Sequence, residues 1–246
     1  MKTTNKKPLL TLACLATTAT ALPAAIISTA VFVDDFSSDS SADYIGTSTF
    51  GTATATFEVS GGTLNSPATG GIGETYNVFY DTAIFEIGQT VSVDISGRSD
   101  AYLSVSTTTR AANTPGEDGI RFNWEIDGTF RARNYTNGSD STINFDNSFD
   151  VNDPGPVTLY LYRASDNVFA AAFDDGSGFT WLNTTGGTER EDFIVGDTGN
   201  GALYVGVETF AFGERNFDNL TLSVPEPSST ALLGLGGLAL VLRRKR

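Results

Sequence analysis

Two carboxylates stand two residues apart in the segment Trp124-Glu125-Ile126-Asp127. On an extended strand such residues share a face at about 6.6 Å. A retaining glycosidase pair wants ~5–5.5 Å, so Glu125 and Asp127 are candidates for nucleophilic and acid–base work on a sugar. Asp127-Gly128 is also a type I′ turn signal, which would set Asp127 at a hairpin tip and leave both residues structural. A second group of acids, Asp34-Asp35 and Asp174-Asp175, lies in loop-like stretches, the latter before Gly176-Ser177-Gly178. Hard oxygen ligands of this kind suit Ca²⁺, although their spacing is not that of an EF-hand and turn formation explains them equally. Sugar binding asks for an aromatic platform beside groups that fix orientation. Tyr135 and Trp181, with Asn134 and Asn183 beside them, are the candidate ligand contacts, and Tyr76, Tyr80 and Asn137 occupy similar positions.

Composition narrows the chemistry further. The 246 residues contain no histidine, and the single cysteine is Cys14. Ser-His-Asp triads, His-ligated zinc and disulfide frameworks are therefore excluded from the region after residue 30. Between residues 31 and 224 the only cations are eight arginines, set against 28 acids, for a charge of about −20. Such a field repels nucleic acid and anionic lipid.

Strands must position these residues. Period-two runs of Val, Ile, Thr, Phe and Tyr alternate with Gly, Asn, Asp and Ser clusters. Strands are predicted at 31–33, 53–59, 63–65, 76–80, 83–87, 90–96, 101–107, 119–126, 129–135, 157–163, 168–173, 179–182, 202–207 and 217–224. Residues 139–156, acidic and rich in Asn, are expected to be loop. Gly119 to Ile126 and Thr129 to Tyr135 form the clearest hairpin, with Ile120, Phe122, Trp124 and Ile126 toward a core and Arg121, Asn123 and Glu125 outward. No helix is predicted in this region, and no repeat suggests a propeller or solenoid. The fold class is all-β, a two-sheet antiparallel jelly-roll sandwich from about 194 residues.

The ends read differently. Lys2, Lys6 and Lys7 precede an apolar run, and Ser28-Thr29-Ala30 is a small-residue cleavage site, so residues 1–30 are expected to be a secretory signal peptide. A cut after Ala21 is an alternative. A lipoprotein reading fails because Thr11-Leu12-Ala13 is a poor match ahead of Cys14. At the other end Pro225-Glu226-Pro227 interrupts the last strand, a short apolar helix runs from about Ala231 to Leu242, and Arg243-Arg244-Lys245-Arg246 closes the chain. The prolines separate the folded domain from this C-terminal segment. The apolar run is short for a span of ~20 residues, and its cations would remain cytoplasmic.

This arrangement resembles the PEP-CTERM sorting tail of exported bacterial proteins. The resemblance implies temporary membrane anchoring, removal by an exosortase, and delivery to the cell surface or extracellular matrix. The segments FEVSGGTLN, VTLYLYR with FDDGSGFTW, and ALYVGVETF followed by FDNLTL resemble the concanavalin A-like domains of lectins, laminin-G modules and laminarinase-type glucanases. That resemblance implies a polysaccharide-binding, structural or adhesive role, or a glycoside hydrolase. Against the hydrolase patterns Glu-x-Asp-x-Glu and Glu-x-Asp-x-x-Glu, Glu125 and Asp127 match, but Thr129 and Phe130 stand where the acid–base Glu belongs. A non-catalytic protein is therefore expected. Its partners would be signal peptidase, exosortase and an extracellular polysaccharide, with no nucleic acid.

Overall fold

The computed structural model describes residues 29–48, 57–66, 75–97, 101–110, 115–125, 128–148, 156–210 and 215–224. Two antiparallel sheets face one another, as the alternating sequence requires. The strands are β1 (Thr29–Asp34), β2 (Tyr44–Ser48), β3 (Glu58–Ser60), β4 (Thr63–Asn65), β5 (Thr75–Tyr80), β6 (Thr90–Gly97), β7 (Ala101–Ser106) and β8 (Gly119–Trp124). They continue as β9 (Thr129–Thr136), β10 (Ser139–Ser148), β11 (Val157–Ser165), β12 (Val168–Asp174), β13 (Phe179–Trp181), β14 (Phe193–Ile194), β15 (Tyr204–Phe210) and β16 (Arg215–Val224). One sheet runs β13-β12-β11-β6-β16-β4-β3, with β1 on β16 and β14 on β12; the other runs β10-β9-β8-β7-β15-β5-β2. Residues 1–28 of the expected signal peptide, the Pro225-Glu226-Pro227 break and the apolar tail lie outside the described residues.

Alternation decides what lies between the sheets. Val91, Val93 and Ile95 of β6 and Leu159 and Leu161 of β11 meet Leu103 and Val105 of β7, Ile120, Phe122 and Trp124 of β8, and Val205 and Val207 of β15 in one buried core. Phe130 stacks on Phe173 at 4.4 Å between ring centres, joining the two layers. Each fully buried Phe or Leu contributes about 1.5–3 kcal/mol, so this interior is what holds the strands in register.

Residues with positive φ close two of the hairpins. Gly61 and Gly62 adopt φ of 65° and 82° between β3 and β4, where Ser60 pairs with Thr63. Asn137 and Gly138, at φ of 50° and 76°, close the β9–β10 hairpin. Two readings change. Residues 139–148, expected as loop, form edge strand β10, because in-register pairing with β9 supplies the backbone partners that its polar side chains do not advertise. Residues 83–87, expected as a strand, make only an isolated bridge from Phe85 to Leu203.

Arg163 explains that second difference. Its side chain is fully buried and donates to the carbonyls of Phe85 (3.0 Å), Gly201 (2.6 Å), Gly199 (2.7 Å) and Asp166 (3.3 Å). It thereby joins the Phe85 carbonyl, which also accepts from the Leu203 amide, to carbonyls of the irregular 166 and 199–201 backbone, and so ties these loops to β11.

On the outer face of the larger sheet, Asp218 of β16 lies opposite Asp94 of β6. Burial raises the Asp218 pKa; the Asn219 amide opposes this, and Asp94, Asp35 and Asp34 add to the rise. The folded chain thus binds this proton at a pH where the unfolded chain has released it. Ionised Asp218 is then a liability at neutral pH that fades as pH falls through its raised pKa. Asp218→Asn is expected to raise the melting temperature at pH 7 by roughly 2 °C, taking ~0.5–1 kcal/mol for facing like charges. The gain should shrink in melts run in the carboxylate titration range; an equal gain at both pH values would refute the repulsion.

Candidate functional site: the polar face of the seven-stranded sheet

The hydrophobic sides of β7, β8, β9 and β15 point into the core, so their alternate residues line the opposite face of that sheet. Register sets these residues in cross-strand rows. Asn77, Glu208, Tyr102, Asn123, Arg131 and Asn144 form one row across β5, β15, β7, β8, β9 and β10. Phe79, Gly206, Ser104, Arg121, Arg133 and Thr142 form the next. Gly206 is required there, since a Cβ would come within 2.5 Å of the Val78 carbonyl and 2.7 Å of the Phe79 ring. The third row holds Tyr204, Ser106, Gly119, Tyr135 and Asp140.

Burial is graded along these rows. Ser104, Asn123 and Glu208 are fully buried, Arg131 and Arg133 are half-buried, and Asp140, Thr142 and Asn144 are exposed. The face therefore has a dry polar floor that opens to solvent along β9 and β10.

Electrostatics organise the floor. Arg121 donates to Glu208, whose other carboxylate oxygen accepts from Ser104 Oγ at 2.5 Å. The Arg121 guanidinium lies 5.1 Å from the ring centre of Tyr102 and 5.9 Å from that of Tyr135. Burial pulls the Arg121 pKa down, but Glu208 and Tyr135 outweigh it, and the group sits above its ordinary value. Nearer solvent, Glu125 lies 3.4 Å from Arg131 and 3.7 Å from Arg133. Both described carboxylates of the floor are thus ion-paired. Asn123 is different: neither its amide nitrogen nor its amide oxygen has a hydrogen-bond partner. A buried side-chain amide without partners costs about 1–3 kcal/mol and calls for an explanation, and a ligand carrying hydroxyls supplies one.

The sequence candidates fall in separate places. Tyr135 is on this face, and Glu125 borders it; Asp127 lies outside the described residues. Asn134, on the other side of β9, accepts from the Gly196 amide at 2.9 Å and donates to the Ile194 carbonyl at 3.0 Å, pinning a loop. Trp181 belongs to the outer face of the other sheet, packed on Ala170 and Ala172 with Tyr160 and Tyr162. Arg190 lies over Tyr162 at 4.5 Å and over Trp181 at 5.8 Å. Asn183 Oδ1 accepts from the Thr185 amide at 2.7 Å in a loop. Tyr80 packs against Phe32 and Tyr44.

The acids read as calcium ligands serve turns. Asp34 accepts from the Phe36 amide (2.9 Å) and Tyr44 hydroxyl (2.9 Å), and Asp35 accepts from the Ser37 amide (3.0 Å). Asp174 accepts from the amides of Gly176 and Gly178, and Asp175 from the amide and hydroxyl of Ser177. Among the described residues no three acids come together as metal ligands.

Arg121 and Asn123 were legible as outward-facing residues of β8, but not as a site. Tyr102, Ser104 and Glu208 were missed. The available signal was polar residues at every second position of strands whose other side is apolar, as in Tyr102-Leu103-Ser104-Val105-Ser106.

The fold is an antiparallel two-sheet sandwich with one polar, arginine-bearing sheet face. The fold has solved counterparts. A Bacillus subtilis protein of unknown function with a galectin-like fold superposes with TM-score 0.52 at 10% identity, covering 80% of this chain and 97% of that one. The carbohydrate-binding module CBM66 of Bacillus subtilis gives TM-score 0.49 at 15% identity, over 72% of this chain and 94% of the module. A legume lectin-like domain from Entamoeba histolytica gives 0.49 at 11% identity, over 74% and 89%. Residues 223–246 match the PEP-CTERM protein-sorting motif. That match contains Pro225, Glu226, Pro227, Arg243, Arg244, Lys245 and Arg246. No curated protein matches the chain in sequence.

Proposed function

We propose that this is an exported, non-catalytic protein whose sandwich domain binds an extracellular polysaccharide on the polar face of the seven-stranded sheet. Residues 1–30 act as the leader, 31–224 as the binding domain and 225–246 as the sorting tail that exosortase-type machinery processes. The domain is held at the membrane until that step and then remains at the surface or in the matrix. The observation that carries the binding role is Asn123: a fully buried amide with both polar atoms unpartnered, in a row with Tyr102 and Arg131. A sugar supplies paired donors and acceptors to the amide. The ion pairs on Glu125 and Glu208 favour binding over hydrolysis, which needs a carboxyl group free to exchange a proton.

The test is a glycan array probed with the full-length protein in detergent. Binding to at least one polysaccharide is expected, with a loss of about tenfold in Asn123→Ala, equivalent to ~1.4 kcal/mol. Release of reducing sugar from a bound glycan would replace the binding role with a hydrolytic one. Absence of binding across the array would remove both.

A further inference from the structure

We infer that the polysaccharide is anionic, its carboxylate seated where Arg131 and Arg133 flank the solvent-open end of the polar face. The inference rests on the sugar-binding reading and adds the substrate class to it. Three of the eight arginines between residues 31 and 224 project from this face, two of them adjacent across β8 and β9, where Arg121 pairs with Arg133. A chain of net charge −14 has few cations to spend, and surface solubility does not account for three on one face. Arg121 is neutralised by Glu208. At the rim, however, Arg133 reaches the carboxylate of Glu125 only at 3.7 Å, and Arg131 approaches the same oxygen at 3.4 Å. At that distance Arg133 makes a charge contact with Glu125 and not a bidentate hydrogen-bonded pair. Its side chain is 34% exposed, so part of the guanidinium faces solvent. The Arg133 guanidinium thus keeps donors for an incoming anion, one strand away from the unpartnered Asn123 amide.

A planar guanidinium fork binds a carboxylate through two parallel hydrogen bonds, and a half-buried position strengthens them over a fully solvated one. Asn123 would then read a hydroxyl beside the acid group. The exposed Asp140 stands beyond Tyr135 on β10, where solvent screens it. At ionic strength near 0.15 M the screening length is about 8 Å, so the acidic remainder of the domain does not cancel a contact made at the rim.

The probes are polygalacturonate and its fully methyl-esterified form, which share a backbone and differ in charge. Full-length protein is titrated with each at 0.15 M salt. The acid form should bind at least tenfold more tightly than the ester. Arg133→Gln should erase that preference by weakening the acid form about tenfold more than the ester, in a protein that still melts in one cooperative step. Equal binding of acid and ester, or of neutral glycans alone, would overturn the anionic assignment and leave the sugar-binding role standing. No binding of either probe or of a neutral panel would overturn both. An unaltered acid-form affinity in Arg133→Gln would remove the rim arginines as the seat.

Discussion

Substitution of Glu208 by alanine is expected to destabilise the fold by about 3–5 kcal/mol, because it strands a buried guanidinium. Arg121 is 6% exposed and Glu208 is 0% exposed, so neither charge recovers hydration when its partner is lost. Ser104 Oγ would lose its acceptor at the same time. The two tyrosine rings over Arg121 soften the loss without replacing a carboxylate. For a domain of this size the melting temperature should fall by roughly 10 °C. The paired replacement Arg121→Leu with Glu208→Leu removes both desolvated charges and should cost less than Glu208→Ala alone. Chemical unfolding of Glu208→Ala, of the double variant and of its two single leucine variants gives the comparison. A Glu208→Ala protein that melts within 2 °C of the parent, or a double variant worse than the sum of the singles, would refute the paired-charge account.

Arg163→Met is the second large effect. The methionine fills much of the same volume but supplies none of the donors that Arg163 gives to Phe85, Asp166, Gly199 and Gly201. Hydrogen bonds from a charged donor contribute ~1.5–3 kcal/mol each, and they are not additive when one group makes several. A net loss of about 3–5 kcal/mol is expected. The damage should be uneven. The 195–203 segment keeps other ties, such as Thr198 N to Asn167 Oδ1 at 3.0 Å and Val195 N to the Asn167 carbonyl at 2.9 Å. Hydrogen exchange in Arg163→Met should therefore quicken first at residues 199–203 and at Phe85, before the sheets open. Arg163→Lys should recover only part of the loss, since one ammonium cannot span four carbonyls. Uniform exchange across all strands would show that Arg163 acts on global stability instead of on these loops.

The amino-acid sequence by itself determined most of the strands, their facing and the sorting motif at residues 223–246. Alternation in β6, β8 and β11 placed Val93, Phe122 and Leu159 inside because a one-residue slip would expose the whole apolar set. Asn137-Gly138 and Gly61-Gly62 fixed hairpins because they adopt positive φ at low cost. The Pro225-to-Arg246 tail was readable because its order of break, apolar run and cations is local.

The tertiary structure decided the site. Residues 77, 102, 121, 133 and 208 are far apart in the chain, and only the order β9-β8-β7-β15-β5 brings them to one face. Glu208 looked like one acid among 29 until strand pairing set it beside Arg121. Arg163 likewise looked like an ordinary strand residue and Asn134 like a ligand contact, and long-range packing turned both into anchors for loops. Proximity in sequence was no guide to proximity in the site. Asn134 and Tyr135 are neighbours in the chain but project from opposite faces of β9, because successive side chains on a strand alternate.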